Sequence, residues 1–181
     1  MSHAQTHAPS QAASQAASHA AVQAVPADPM LAGLAAPLDD LAQGSADRFN
    51  VLLPRVVAQV VGEGEAAQEA LETGGFFLNE STVVMRLNPD NDYLEFFCDI
   101  GLPDPHHLEP NFRTALELNL CRTYPGVTFG VHPESGRLVA TTATHMLLVA
   151  DDEVCLQALD LLTGLVGELR ANRTFMLLEE R

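Results

Sequence analysis

Between Tyr93 and Ile100 the side chains alternate, with Leu94, Phe96, Cys98 and Ile100 on one side and Tyr93, Glu95, Phe97 and Asp99 on the other. A period of two marks a half-buried strand of an antiparallel sheet, and its apolar face must lie against another layer. Four more segments read as strands: Phe76–Asn79 and Thr82–Leu87 before it, Val127–Val131 and Arg137–Ala143 after it. The residues between them are those that hairpins use. They are Asn79-Glu80-Ser81, the run from Asn88 to Asp92, and His132–Gly136 with a glycine where a positive φ is needed.

Helical stripes fill the gaps. From Ala46 onward, Phe49, Leu52, Leu53, Val56 and Val60 recur as one face of a helix that Gly62 and Gly64 close. Pro54 removes a backbone hydrogen bond within it, which predicts a kink there or a start only after Asn50. Glu65–Glu72 extends or repeats this helix before Gly74 and Gly75. A second helix begins near Glu109 and Pro110 and presents Phe112, Ala115, Leu116 and Leu120. A third opens on Asp151, Asp152 and Glu153 and carries Val154, Ala158, Leu161, Leu162, Leu165 and Leu169. It closes on Arg170 and Arg173, so acids and bases complement its dipole. The expected fold is α+β in the order α-β-β-β-α-β-β-α, an antiparallel twisted sheet packed with three helices.

Residues 1–45 differ in kind. Ser10-Gln11-Ala12-Ala13, Ser14-Gln15-Ala16-Ala17 and Ser18-His19-Ala20-Ala21 repeat a tetrad, and the only charges are Asp28, Asp39 and Asp40. So little large apolar surface cannot offset the ordering entropy, so a disordered Ala/Gln/Ser-rich arm is expected, followed by one domain over 46–181. Met30, Leu31, Leu34, Leu38 and Leu41 form a short amphipathic piece that Pro37 interrupts.

With 24 acidic residues against 9 arginines and no lysine, the formal charge is −15. That field repels phosphate backbones and anionic lipid heads, which argues against nucleic-acid and membrane partners. The start lacks a basic segment followed by an apolar run, and nowhere do eighteen apolar residues follow one another, so a cytoplasmic location is expected. Cys98, Cys121 and Cys155 have no metal-type spacing and read as buried reduced thiols.

Catalytic and metal readings are weak. His106-His107 beside Asp104, with Cys98 upstream, suggests a metal or Cys–His site, yet neighbouring loop histidines diverge and nothing is spaced to orient them. Asn88, Asp90 and Asp92 resemble the start of a calcium loop, but Tyr93 stands where its glycine belongs. His3 and His7 could bind metal only loosely. No enzyme, cofactor or metal is expected.

Three stretches, in this order and spacing, resemble the class I type III secretion chaperones, the Tir chaperone family. They are Ile100-Gly101-Leu102-Pro103, Leu116-Glu117-Leu118-Asn119, and Gly126-Val127-Thr128-Phe129-Gly130 with Arg137-Leu138-Val139; Gly167-Glu168-Leu169-Arg170 resembles the end of the family's last helix. The resemblance covers residues 46 to about 175, and the long N-terminal arm departs from it. It implies a homodimer formed largely through the second helix and neighbouring strand surface, with Phe112, Ala115, Leu116, Asn119 and Leu120 at the interface. It also implies a secreted effector whose N-terminal segment is bound in extended form, and the secretion-apparatus ATPase as a further partner.

The strands themselves favour such a guest. Val83, Met85 and Leu87 fall on one face, Val84 and Arg86 on the other, and Phe77 and Phe97 also lie opposite the core sets. One face packs on the helices and part of the other is left over. Phe49, Leu53, Phe77, Val84 and Phe97 are therefore the expected effector contacts. An adaptor or regulatory module on the same fold is the alternative, and a thiol-dependent enzyme is a more distant one.

Overall fold

A computed structural model describes residues 29–178, with side chains from residue 44. Helix α1 (Pro29–Val60) and helix α2 (Glu65–Thr73) precede strands β1 (Gly75–Leu78), β2 (Ser81–Asn88) and β3 (Tyr93–Gly101). Helix α3 (Leu108–Cys121), strands β4 (Val127–Val131) and β5 (Leu138–His145), and helix α4 (Asp152–Ala171) complete the chain. The five strands form one antiparallel sheet in the order β1-β2-β3-β5-β4.

The period of two does what it predicts. Phe76, Val83, Cys98, Ala140 and Phe129 stand in register across all five strands, and each is buried. Met85 and Phe96, also in register and buried, form a second inward pair beside them. Helices α1 and α4 cover this inner face with Leu52, Leu53, Val56, Val57, Leu159, Leu162 and Val166. Hairpin turns fall where the turn residues stand: Asn79 and Glu80 both adopt positive φ, and Asn88 accepts the Asp90 N–H through its side chain.

Helix boundaries depart from expectation in instructive ways. Gly62 and Gly64, at φ +85° and +120°, end α1 and let a separate α2 begin, so four helices pack on the sheet. Helix α1 starts at Pro29 instead of Ala46 and runs through Pro54. Asn50 and Pro54 are both exposed, so water can satisfy the carbonyl that the proline leaves unbonded. Of the arm expected over residues 1–45, residues 1–28 lie outside the described residues, as do the side chains of the Met30–Leu41 piece. Gly74 caps α2 at φ +71°, and a side chain there would run into the Met85 carbonyl oxygen.

Two stripes are rotated. On α4 the buried set includes Cys155, Leu159 and Val166, and Leu161 points to solvent. On α3 the buried residues are Asn111 and Ala115, so Ala115 lies on the opposite side from Phe112, Leu116 and Leu120. Cys121, the last residue of α3, is exposed, in contrast to the buried thiol expected there.

One side chain ties the layers together at the end of β3. Arg170 of α4 donates from Nε to Ile100 O (2.8 Å), from Nη1 to Glu80 O (2.7 Å) and Ser81 Oγ (3.1 Å), and from Nη2 to Asp99 O (2.8 Å). Hydrogen bonds from a charged donor to part-buried carbonyls are worth more than an exposed ion pair. Arg170→Met is therefore expected to lower the unfolding free energy by about 2–4 kcal/mol. Arg113→Ala, which removes a pair with Glu117 on the surface of α3, should change it by about 0.5 kcal/mol or less. Urea denaturation of the two variants checks this, and equal losses would remove Arg170 from its place as the clamp.

Candidate functional site

Because α1 and α4 take the inner face, the outward side chains of β1–β3 have no helix over them among the described residues. Phe77 from β1, Val84 from β2, Phe97 from β3 and Val139 from β5 line a groove of about 660 Å³ across four strands. The β4–β5 turn, with His132, Pro133 and Ser135, walls one side. A second hollow of about 400 Å³ adjoins it over Thr128, Thr141 and Ala143 and shares Arg86 and Phe97. The outer face thus interleaves aromatic and aliphatic side chains with charged ones over β1–β3 and carries threonines over β5 and β4.

Four of its charged groups form two ion pairs. Arg137 donates to both carboxylate oxygens of Asp99, from Nε at 2.8 Å and Nη2 at 2.5 Å. Arg86 lies over the Phe97 ring, 4.6 Å from its centroid, and donates from Nε to Glu95 (2.8 Å). Burial pushes the Glu95 carboxyl up, but hydrogen bonds from Asn88 and Arg86 outweigh it and hold it below the ordinary carboxylate range.

The two sheet edges are treated differently. At β4, Asn119 donates to Phe129 O and accepts from Phe129 N–H, both at 2.8 Å, so the middle of that edge is closed by a side-chain amide. At β1 the parity is set by Met85 N–H donating to Gly74 O (2.8 Å). Gly74, Phe76 and Leu78 therefore bond β2, while Phe77 turns its N–H and C=O outward, with no partner among the described residues. Phe77 is 69% exposed beside that open edge.

A second apolar surface lies on α3. Leu108, Phe112, Leu116 and Leu120 repeat every fourth residue, and Leu116 and Leu120 are 68% and 84% exposed. With Arg113 and Glu117 they line a hollow of about 580 Å³.

Three expected effector contacts, Phe77, Val84 and Phe97, therefore come together in one groove. Leu53 is instead buried in the core, and Phe49 is half-buried against it on the inner side of the sheet. Of the expected dimer contacts, Phe112, Leu116 and Leu120 share the α3 stripe, Ala115 is buried under the helix, and Asn119 is engaged with β4. Sequence reasoning missed Val139, although its parity beside buried Leu138 and Ala140 marks it as outward, and Leu108, one turn before Phe112.

The reactive groups do not converge. Burial pushes the Cys98 thiol up to about 11 and the Cys155 thiol up to about 12, so neither is a ready thiolate. Asp104 accepts from the His106 N–H and lies 3.0 Å from His107 Nδ1 on an open turn. These hydrogen bonds, the His106 one foremost, hold its carboxyl low. Among the described residues no three His, Cys, Asp or Glu side chains group as metal ligands, and no helix is long and apolar enough to cross a membrane. What the outer face offers is an apolar groove, a guanidinium stacked on an aromatic ring and an unpaired strand edge.

No protein-family model and no curated protein matches this sequence. Among solved structures it is similar to a chain in the crystal structure of the ExsC–ExsE complex. That match has 16% identity and a TM-score of 0.54, and covers 69% of this chain and 92% of that one. It is also similar to a chain in the structure of the HopA1–SchA chaperone–effector complex, at 12% identity and a TM-score of 0.50, over 68% of this chain and 93% of that one. The likeness is one of fold.

The groove and the core are separable by mutation. Phe77→Ser should change the unfolding free energy by about 1 kcal/mol or less, since the side chain is already in water. Met85→Asp, on the opposite face of the neighbouring strand, should cost about 4 kcal/mol or more by burying an unpaired charge. Thermal unfolding followed by circular dichroism distinguishes the two; a large loss for Phe77→Ser would make it a core residue.

Proposed function

We propose that this chain is a type III secretion chaperone of the Tir chaperone kind. As a cytoplasmic homodimer it holds the N-terminal segment of a secreted effector in extended form along the outer sheet face. The observation that carries the reading is the convergence of Phe77, Val84 and Phe97 in one uncovered groove beside the open edge of β1. Similarity of fold to a chain from a chaperone–effector complex supports it.

Magnitudes argue for two subunits. A groove across four strands, each about 4.8 Å from the next, spans about five or six residues of an extended guest. Ordering them costs about 1–2 kcal/mol each, or about 5–12 kcal/mol. Two or three guest side chains buried at about 1.5–3 kcal/mol each return about 3–9 kcal/mol. One groove is close to break-even, so pairing along the β1 edge and a second groove on a linked subunit are what hold the guest. The exposed stripe of α3 is the surface that would link them. The secretion-apparatus ATPase is the partner proposed to receive the loaded assembly.

Light scattering at micromolar concentration should give the mass of two chains, and Leu116→Asp with Leu120→Asp should give one. A stable monomer in the unmodified protein would overturn the dimeric reading. Affinity capture from the native cell should retain one effector's N-terminal region, lost in a Phe77→Asp, Val84→Asp variant. Retention of a regulatory protein instead would make the chain an adaptor.

A further inference from the structure

The groove offers a guest more than apolar contact, and its charged groups are not equally occupied. Both oxygens of Asp99 are taken by Arg137, and both oxygens of Glu95 by Arg86 and Asn88. Arg170 spends all three of its nitrogens on Glu80, Ser81, Asp99 and Ile100. Arg86 differs: only its Nε is engaged, and its two terminal amino groups have no partner among the described residues. Its side chain is 60% exposed, yet the guanidinium is fixed on two sides, by the ring of Phe97 beneath it and the carboxylate of Glu95 beside it.

We propose that Arg86, laid over Phe97 in the outer-face groove, selects guest segments that carry a carboxylate side chain next to their apolar anchors. This rests on the reading that the groove holds a guest. A planar guanidinium with two parallel donors matches a carboxylate in bidentate fashion, and stacking on an aromatic ring removes much of the rotamer freedom that pairing would otherwise cost. Val84 and Phe97 stand opposite each other in register, and Arg86 and Glu95 form the next outward pair. A guest whose apolar side chain rests on Val84 and Phe97 therefore brings its neighbouring side chains to Arg86.

The overall charge of −15 makes this selection informative. Acidic segments are repelled at long range, but that field is screened beyond about 8 Å at physiological salt, whereas contact with Arg86 is not. The guest is then neutral or basic as a whole and acidic at one position. Among the described groove residues Glu80, at the β1–β2 turn, is the charged side chain without a hydrogen bond or ion pair; it stands exposed with no ring behind it and is a weaker reader of guest charge.

The test is panning of the full chain against a random twelve-residue peptide library displayed on phage, in parallel with Phe77→Asp/Val84→Asp and with Arg86→Glu. The expected result is apolar peptides enriched in Asp or Glu at one fixed spacing, lost with the double variant, and turned to Lys or Arg by Arg86→Glu. For one selected peptide, Asp→Asn should weaken binding to the unmodified chain about ten-fold and leave binding to Arg86→Gln nearly unchanged. Peptides that need the groove but show no acid preference would overturn the role of Arg86 and leave the groove standing. Peptides indifferent to the double variant, or none recovered, would overturn both. Unchanged circular dichroism melting of Arg86→Gln shows that the effect belongs to binding.

Discussion

The fold depends on one constraint: a pleated sheet has two faces, and α1 and α4 are both committed to the same one. The row Phe76, Val83, Cys98, Ala140 and Phe129, with Met85 and Phe96 beside it, absorbs their apolar surface. Each inward residue obliges its neighbours to point outward, so burying this set exposes Phe77, Val84, Arg86, Phe97 and Val139. The groove is a geometric consequence of the core. Arg170 fixes that consequence in place, because its guanidinium joins α4 to the ends of β2 and β3 where the groove begins.

Helix α3 shows how a helix can be held without spending its apolar stripe. Two asparagines on its sheet-facing side do the fastening. Asn111 exchanges two hydrogen bonds with the backbone of Met176, and Asn119 exchanges two with that of Phe129, all at 2.8 Å. Only Ala115 is buried between them, too small to need a deep apolar socket. Attachment through amides leaves Leu108, Phe112, Leu116 and Leu120 on the far side, and the same amide of Asn119 shuts the β4 edge against stray strand pairing. Among the described residues the edge left without such a closure is β1, at the groove.

How much of this could be read from the residues follows from the periods involved. Strands were legible because alternation is unambiguous and their turns carry Asn, Asp and Gly; the five predicted strands match the observed ones within one or two residues. Helix faces were harder. At 3.6 residues per turn, neighbouring stripes overlap, and whether Leu161 or Leu159 of α4 faces inward is decided by the sheet it meets. Ala115 and Leu116 are adjacent in sequence and opposite in fate for the same reason. Phe49 and Leu53 were grouped with Phe77 because no local signal says which face of the sheet the first helix covers, and it covers the inner one. The continuation of α1 through Pro54 and back to Pro29 is likewise a tertiary outcome that propensity alone opposes.

Charge is distributed unevenly around the two apolar tracts. Most of the 24 acidic residues lie elsewhere, and their like charge opposes contact between copies through those parts of the surface. At the groove the charge is locally cancelled. The outer face sets Arg86, Arg137 and Arg170 against Glu80, Glu95 and Asp99, whereas the α3 stripe is bordered by Arg113 paired to Glu117 and by Glu109, so one acid is left over. Four of the nine arginines in a chain without lysine are thus placed where contact with another chain would otherwise be opposed by the chain's own field. A uniformly acidic surface would repel partners everywhere; this one is neutral at the groove and only weakly acidic along the α3 stripe, so the regions able to bury area are also those where approach costs least.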